Sequence, residues 1–257
     1  MRKDSMIKTA RLFYAAIALP LAFALAACGS DAADDASGAP PKGEAIAAIA
    51  PPAGKQWAEM AVETPEGGFR IGNPDAPLKF VEYASHTCSH CADFSVAAAE
   101  PLREKYVASG VVSYEIRNLI RDPIDLTIAT LARCSGPEAF HPLAEQAWAN
   151  VAQIFDAANK NQAAYSAAME KAGAARFQGL ADATGLFDFF AARGISRDQA
   201  MTCLADVNKI TAIVNRSEKD SNELKLTGTP SFFLNGKKVD FTTWDAVEPA
   251  LQAAGAR

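Results

Sequence analysis

The rhythm of hydrophobic positions changes several times along the chain. Leu78-Lys79-Phe80-Val81-Glu82-Tyr83-Ala84 is a short, mostly apolar run, preceded by the turn-forming Gly72-Asn73-Pro74-Asp75-Ala76-Pro77, and it predicts a central strand. Cys91 to Ser109 suit a helix, with a kink expected at Pro101 and a stop at Gly110. Val111 to Ile120 reads as the next strand, so the three elements predict a parallel βαβ unit. Upstream, Trp57 to Val62 predicts a short edge strand before the Pro65-Glu66-Gly67-Gly68 turn.

From Asp122 to about Leu224 strand signals disappear. Ala-rich helical patterns cover 126–134, 142–159, 162–172, 177–193 and 196–223, with Ser196 and Gln199 spaced as a capping box. Strand character resumes at Ser231 to Leu234. The Asn235-Gly236 hairpin turn, a second strand over 237–240 and a last helix over 242–253 follow. This order predicts an α/β domain over residues 57–122 and 225–257, interrupted by an all-helical insertion over 123–224.

The N-terminus reads as a targeting segment. Arg2, Lys3, Lys8 and Arg11 precede an apolar run too short for a membrane span, which ends at Leu25-Ala26-Ala27-Cys28. That ending resembles the lipobox of bacterial lipoproteins, in which Cys28 would become the lipid-carrying N-terminus after residues 1–27 are removed. An ordinary secretory signal is the alternative. Either predicts export to a compartment where disulfides persist, and a lipid on Cys28 would hold the chain to a bacterial membrane, in the periplasm. Residues 28–56, rich in Ala, Gly, Pro, Ser and Asp, read as a flexible linker.

Composition adds little except through cysteine. The 257 residues are 49% hydrophobic, enough for a sizeable core, and a formal charge of −5 gives no case for nucleic acid as partner. Five cysteines are an odd number for an exported chain, but setting Cys28 aside leaves Cys88, Cys91, Cys134 and Cys203. Cys134 and Cys203 are candidates for a structural disulfide, with buried free thiols as the alternative reading.

The candidate chemistry sits in His86-Thr87-Cys88-Ser89-His90-Cys91, at the predicted junction of strand and helix. It holds two of the chain's three histidines. A cysteine at a helix N-terminus faces unpaired N–H groups, which favour thiolate over thiol, and a protonated or hydrogen-bonding His90 would favour it further. The rival is a metal site built from Cys88, Cys91, His86 and His90. Four ligands within six residues would be crowded, and no second C-x-x-C completes a tetrahedral set.

Phe80 to Cys91 resembles the active-site region of DsbA-type thiol:disulfide oxidoreductases. That resemblance implies a thioredoxin-like fold with an inserted all-helical domain. It implies that Cys88 is the nucleophile, Cys91 its buried partner, His90 a thiolate stabiliser and Glu82 a proton relay. Far downstream, Gly228-Thr229-Pro230-Ser231-Phe232-Phe233 is similar to the family's loop in which a residue–cis-proline pair lies against the dithiol. Thr229 and Pro230 are therefore implied as a substrate-docking edge. The resemblance covers roughly residues 70–257. It implies no cofactor, reduced or unfolded exported proteins as substrates, and reoxidation by a quinone-linked membrane partner. The short, polar stretch before Trp57 leaves no room for an N-terminal dimerisation domain, which favours a monomeric oxidase. Ser89 stands where the best-known oxidases have proline, and Thr229 is also typical of isomerases and some reductases, so those activities remain alternatives. A lipid-tethered metal-binding or chaperone-like module is a rival from another class. His86 receives no role.

Overall fold

The computed structural model describes residues 43–257. Six strands form one mixed sheet in the order β1-β2-β4-β3-β5-β6. They are β1 (Ala61–Glu63), β2 (Phe69–Ile71), β3 (Leu78–Ala84), β4 (Val112–Asn118), β5 (Ser231–Leu234) and β6 (Lys237–Val239). The apolar run at 78–84 becomes β3, near the middle of the sheet. It pairs in parallel with β4, placing Phe80 opposite Tyr114 and Glu82 opposite Ile116. On its other side it pairs antiparallel with β5, where Glu82 faces Phe232. Asn235 and Gly236, at φ 50° and 76°, turn β5 into β6 with the two left-handed residues that a tight hairpin requires.

Helix α1 (Ser89–Pro101) returns the chain from β3 towards β4. Pro101 has no N–H to give the ladder, and the helix continues from Leu102 to Val107 in wider π-helical turns. Gly110 then stops it at φ 72°. A Cβ there would lie 2.5 Å from Trp57 Nε1 and 2.6 Å from the Ile49 carbonyl oxygen, so no larger residue fits.

The insertion consists of α2 (Pro123–Ala132), α3 (Pro137–Ala149), α4 (Val151–Lys160), α5 (Gln162–Met169), α6 (Ala174–Ala183), α7 (Leu186–Ala191), α8 (Arg197–Ala205) and α9 (Val207–Leu224). Three of the helices expected from sequence are each divided in two. The breaks fall at Asn150, at Gly185 in the left-handed region, and at Asp206, whose carboxylate accepts the Lys209 N–H at 3.1 Å and so starts a new helix. A disulfide joins Cys134, just after α2, to Cys203 on α8. Helix α10 (Trp244–Ala253) closes the fold beside α1.

Phe80, Phe94 and Phe232 pack centroid to centroid at 4.5–6.4 Å, and Trp244 meets Phe94 edge-on. Full burial of each phenylalanine ring contributes roughly 1.5–3 kcal/mol, so this cluster binds α1 and α10 to one face of the sheet.

Two expectations need correction at the N-terminal side. Trp57–Glu59 forms a 3-10 turn, because the Trp57 indole N–H reaches the Ile49 carbonyl at 2.7 Å, and the strand begins only at Ala61. Residues 43–56 have no helix or strand before that turn, yet they are tied to the domain. Gly43 N–H donates to Ala253 O, Ile46 N–H to Gly255 O and Ile49 N–H to Ser109 O, at 2.8–3.1 Å. The expected signal segment 1–27, Cys28 and the expected linker up to residue 42 lie outside the described residues. Among the described residues no helix is long and apolar enough to cross a membrane.

Candidate active site

The end of β3, the start of α1 and the loop before β5 converge on the two cysteines. Cys88 is the N-cap of α1, with extended backbone at φ −91° and ψ 119°, and Cys91 lies in the first turn. Both are free thiols and both are buried. The Cys88 thiol donates to the Thr229 carbonyl oxygen at 3.2 Å across a cis Thr229–Pro230 bond. The loop carrying Thr229 is thus placed against the dithiol by β5, which pairs with the strand leading into it.

The two sulfurs differ in acidity. Cys88 is pulled down to about 5, chiefly by a hydrogen bond from the Cys91 side chain. Burial opposes this, while the Thr229 side chain and the backbone N–H groups of Cys91 and His90 assist it. Cys91 is driven far above the ordinary thiol range by burial first, then by Cys88 and the charge of Glu82. The pair therefore holds one proton on Cys91 and leaves Cys88 as the thiolate at neutral pH.

Behind the dithiol, Glu82 lies on β3 with 1% of its surface exposed. Burial pushes its carboxyl up to about 8, against the lowering effect of the Tyr114 hydroxyl, which donates to Oε2. Its other oxygen, Oε1, is buried with no hydrogen-bond partner. Glu82 is thus mostly protonated at neutral pH and half-ionised only near pH 8, instead of fully charged.

The histidines part company. The His90 ring is exposed, and its contribution to Cys88 comes through its backbone N–H. His86 is fully buried, stacked on Trp148 at 5.1 Å, with Nδ1 3.4 Å from Asp125 Oδ1. Asp125 also accepts the backbone N–H of His86 at 2.8 Å and that of Arg121 at 3.0 Å, and Trp148 donates to the Ser85 carbonyl at 2.9 Å. His86 is therefore part of the brace that fixes the loop entering Cys88. Among the described residues no three His, Cys, Asp or Glu side chains gather as metal ligands.

Sequence reasoning missed Tyr114, Asp125 and Trp148. A tyrosine in an apolar strand reads as packing, and Asp125 sits at a helix start where an acidic residue is ordinary. Their only signal was the need of a buried carboxyl and a buried loop for partners. Cys134 and Cys203 lie apart from the dithiol. A cavity of about 480 Å³ beside their disulfide is lined in part by Asn118, Arg117, Arg133 and Arg216, and neither Cys88 nor Cys91 reaches it.

A parallel β3–α1–β4 unit, an antiparallel β5–β6 hairpin and a cysteine pair at the helix start, faced by a cis-proline loop, define a thioredoxin-fold dithiol protein. The chain belongs to the thioredoxin family, whose model it matches over residues 64–253. Its inserted helices give the fold the DsbA-like form. A crystal structure of protein-disulfide isomerase from Novosphingobium aromaticivorans superposes with a TM-score of 0.70 at 29% identity, covering 77% of this chain and 100% of that one. Wolbachia pipientis alpha-DsbA1 shares the fold at 22% identity and a TM-score of 0.58, over 77% of this chain and 96% of that one. A "Putative protein-disulfide oxidoreductase" of Rickettsia bellii is 26% identical over 190 residues, which are 74% of this chain. Its Rickettsia conorii counterpart is 28% identical over 215 residues, 80% of this chain. The chain spans 65% and 69% of the length of these two curated relatives.

Proposed function

We propose that the protein is a DsbA-like thiol:disulfide oxidoreductase of the periplasm that introduces disulfides into exported proteins. The observation that carries this reading is the placement of Cys88 at the N-cap of α1, where the backbone N–H groups of His90 and Cys91 reach its sulfur, with Cys91 fully buried in the first turn. The Cys91 side chain and these N–H groups pull Cys88 down to about 5, and burial drives Cys91 far above the thiol range. A stabilised Cys88 thiolate favours the reduced pair over its disulfide, which makes the disulfide an oxidant. A substrate thiolate attacks Cys88 Sγ, the Cys88–Cys91 bond breaks, and the electron pair leaves on Cys91, which takes a proton. A second substrate thiolate then attacks the substrate sulfur of the mixed disulfide and releases Cys88 as thiolate. Glu82, mostly protonated at neutral pH and within about a unit of its midpoint, supplies and recovers the Cys91 proton. Thr229 and Pro230 present the backbone edge along which an extended substrate lies.

Export follows from the N-terminal segment, and a lipid on Cys28 would tether the enzyme to a bacterial membrane. Its partners are reduced exported proteins and a quinone-linked membrane protein that restores the disulfide. Equilibration of purified protein with glutathione tests the direction. An oxidase gives a pair that is readily reduced, and a pair as resistant to reduction as a structural disulfide would overturn the proposal.

Isomerase activity is the second reading, supported by the name of the Novosphingobium protein and by Thr229 ahead of the proline. Thiol trapping in cells separates the two, since an oxidase is held mostly oxidised and an isomerase mostly reduced.

A further inference from the structure

Glu82 has one donor among the described residues, and it comes from the neighbouring strand. Tyr114 on β4 sits opposite Phe80, two positions before Glu82 on the same face of the sheet. Its ring is held between Phe80, stacked at 5.7 Å, and His141, edge-on at 5.3 Å, so the hydroxyl is aimed by packing on two sides. Neither nearby base competes for the carboxyl. His141 gives Nε2 to the Phe69 carbonyl at 2.9 Å, and burial lowers it to about 4, leaving it neutral. Arg103 is paired with Glu145. The hydroxyl therefore engages Oε2 and leaves Oε1 buried without a partner.

We propose that Tyr114 is a positioning residue for thiol–disulfide exchange, fixing Oε2 of Glu82 so that Oε1 is the atom that exchanges the Cys91 proton. The inference rests on the reading of Cys88–Cys91 as the exchanging pair. When a substrate thiolate opens the disulfide, the electron pair arriving on Cys91 takes the proton from Oε1. The carboxylate left behind keeps the Tyr114 hydrogen bond. In the reverse step Oε1 accepts the Cys91 proton, and the thiolate so formed attacks Cys88 in the mixed disulfide, expelling the substrate as thiolate. A hydroxyl that donates to the charged carboxylate stabilises it more than the neutral acid, so Tyr114 also sets the pH at which Oε1 accepts a proton.

The test is Tyr114→Phe, which keeps the ring and removes the donor. Carboxyl-labelled glutamate NMR on the reduced protein reads the Glu82 titration, and stopped-flow exchange reads its pH profile. The Glu82 midpoint should rise by about one pH unit or more, with the kinetic midpoint following it. Substituting a fluorinated tyrosine at position 114 keeps the shape and strengthens the donor, and it should move both midpoints down. In a Glu82→Gln background, Tyr114→Phe should change the pH profile no further. Slower exchange with unmoved midpoints, or a fluorinated variant that shifts nothing, would overturn the role. Failure of the underlying reading looks different: Cys88→Ser would then still exchange disulfides.

Discussion

Cys88 and Thr229 stand 141 positions apart, yet the Cys88 thiol donates to the Thr229 main-chain carbonyl at 3.2 Å. A carbonyl can accept from the thiol but not from a thiolate or a disulfide. The same oxygen that holds the reduced sulfur is therefore free when Cys88 is ionised or oxidised, and free to accept an N–H from an extended peptide.

From this relationship we expect Cys88→Ala to bind an unfolded, cysteine-free peptide more tightly than the reduced wild type does below pH 5, where Cys88 is a thiol. One hydrogen bond freed for the peptide corresponds to roughly 0.5–1.5 kcal/mol, or a few-fold in Kd. Titration calorimetry of both proteins at pH 4 measures it, and equal affinities would show that the Thr229 edge is not used.

Ultraviolet thiolate absorbance of the reduced protein should titrate with a midpoint near 5, the Cys88 value. The folded value lies below the ordinary 9.0, so the folded state favours the thiolate. The stability this contributes is fully present above about pH 9 and is lost as pH falls through 5. Denaturant melts of the reduced protein across that window should weaken towards acid, and Cys88→Ser should flatten the Cys88-dependent part.

Glu82 has the opposite sign. Its folded value near 8 lies above the ordinary 4.5, so the folded state favours the protonated acid. The stability linked to it is present below 4.5 and is lost as pH rises through 8. Glu82→Gln should therefore gain on the wild type as pH rises, by on the order of 2–4 kcal/mol at pH 9, while exchange slows. Urea melts at pH 5 and pH 9 check the difference. A variant that loses ground at pH 9 would contradict the raised value.

Removing both Cys134 and Cys203 as alanines opens a bridge that spans 69 positions. The expected cost is about 2–4 kcal/mol of stability, seen as a lower Tm. Because neither sulfur lies at the dithiol, the glutathione equilibrium of Cys88–Cys91 should move far less than the Tm.

Much of this was written in local patterns. The run at 78–84 coincides with β3 because a central strand whose Leu78, Phe80, Glu82 and Ala84 face is buried needs a mostly apolar stretch, and Asn235-Gly236 specifies its own turn. The dithiol was legible because C-x-x-C at a helix start has one position and one electrostatic consequence. Tyr114 and Asp125 were not legible, since their partners Glu82 and His86 lie 32 and 39 positions away and nothing in either neighbourhood announces them. For His90 the sequence did not say which part of the residue meets the sulfur. One residue before Cys91 on a helix still points its ring to solvent, while its main chain faces the sulfur. Helix ends inside the insertion were hidden because alanine continues a helical pattern across breaks made by Gly185 and Asp206.

The segment at 43–49 also changes how the molecule can be thought of as an object. Arg257 Nη2 donates to the Gly43 carbonyl at 2.6 Å, so the first and last described residues clasp each other. The polypeptide from 43 to 257 is thus nearly a closed ring. A pull on whatever precedes Gly43 is shared at once with the C-terminal residues beyond α10, and a short splice from 257 back to 43 would leave every strand pairing in place.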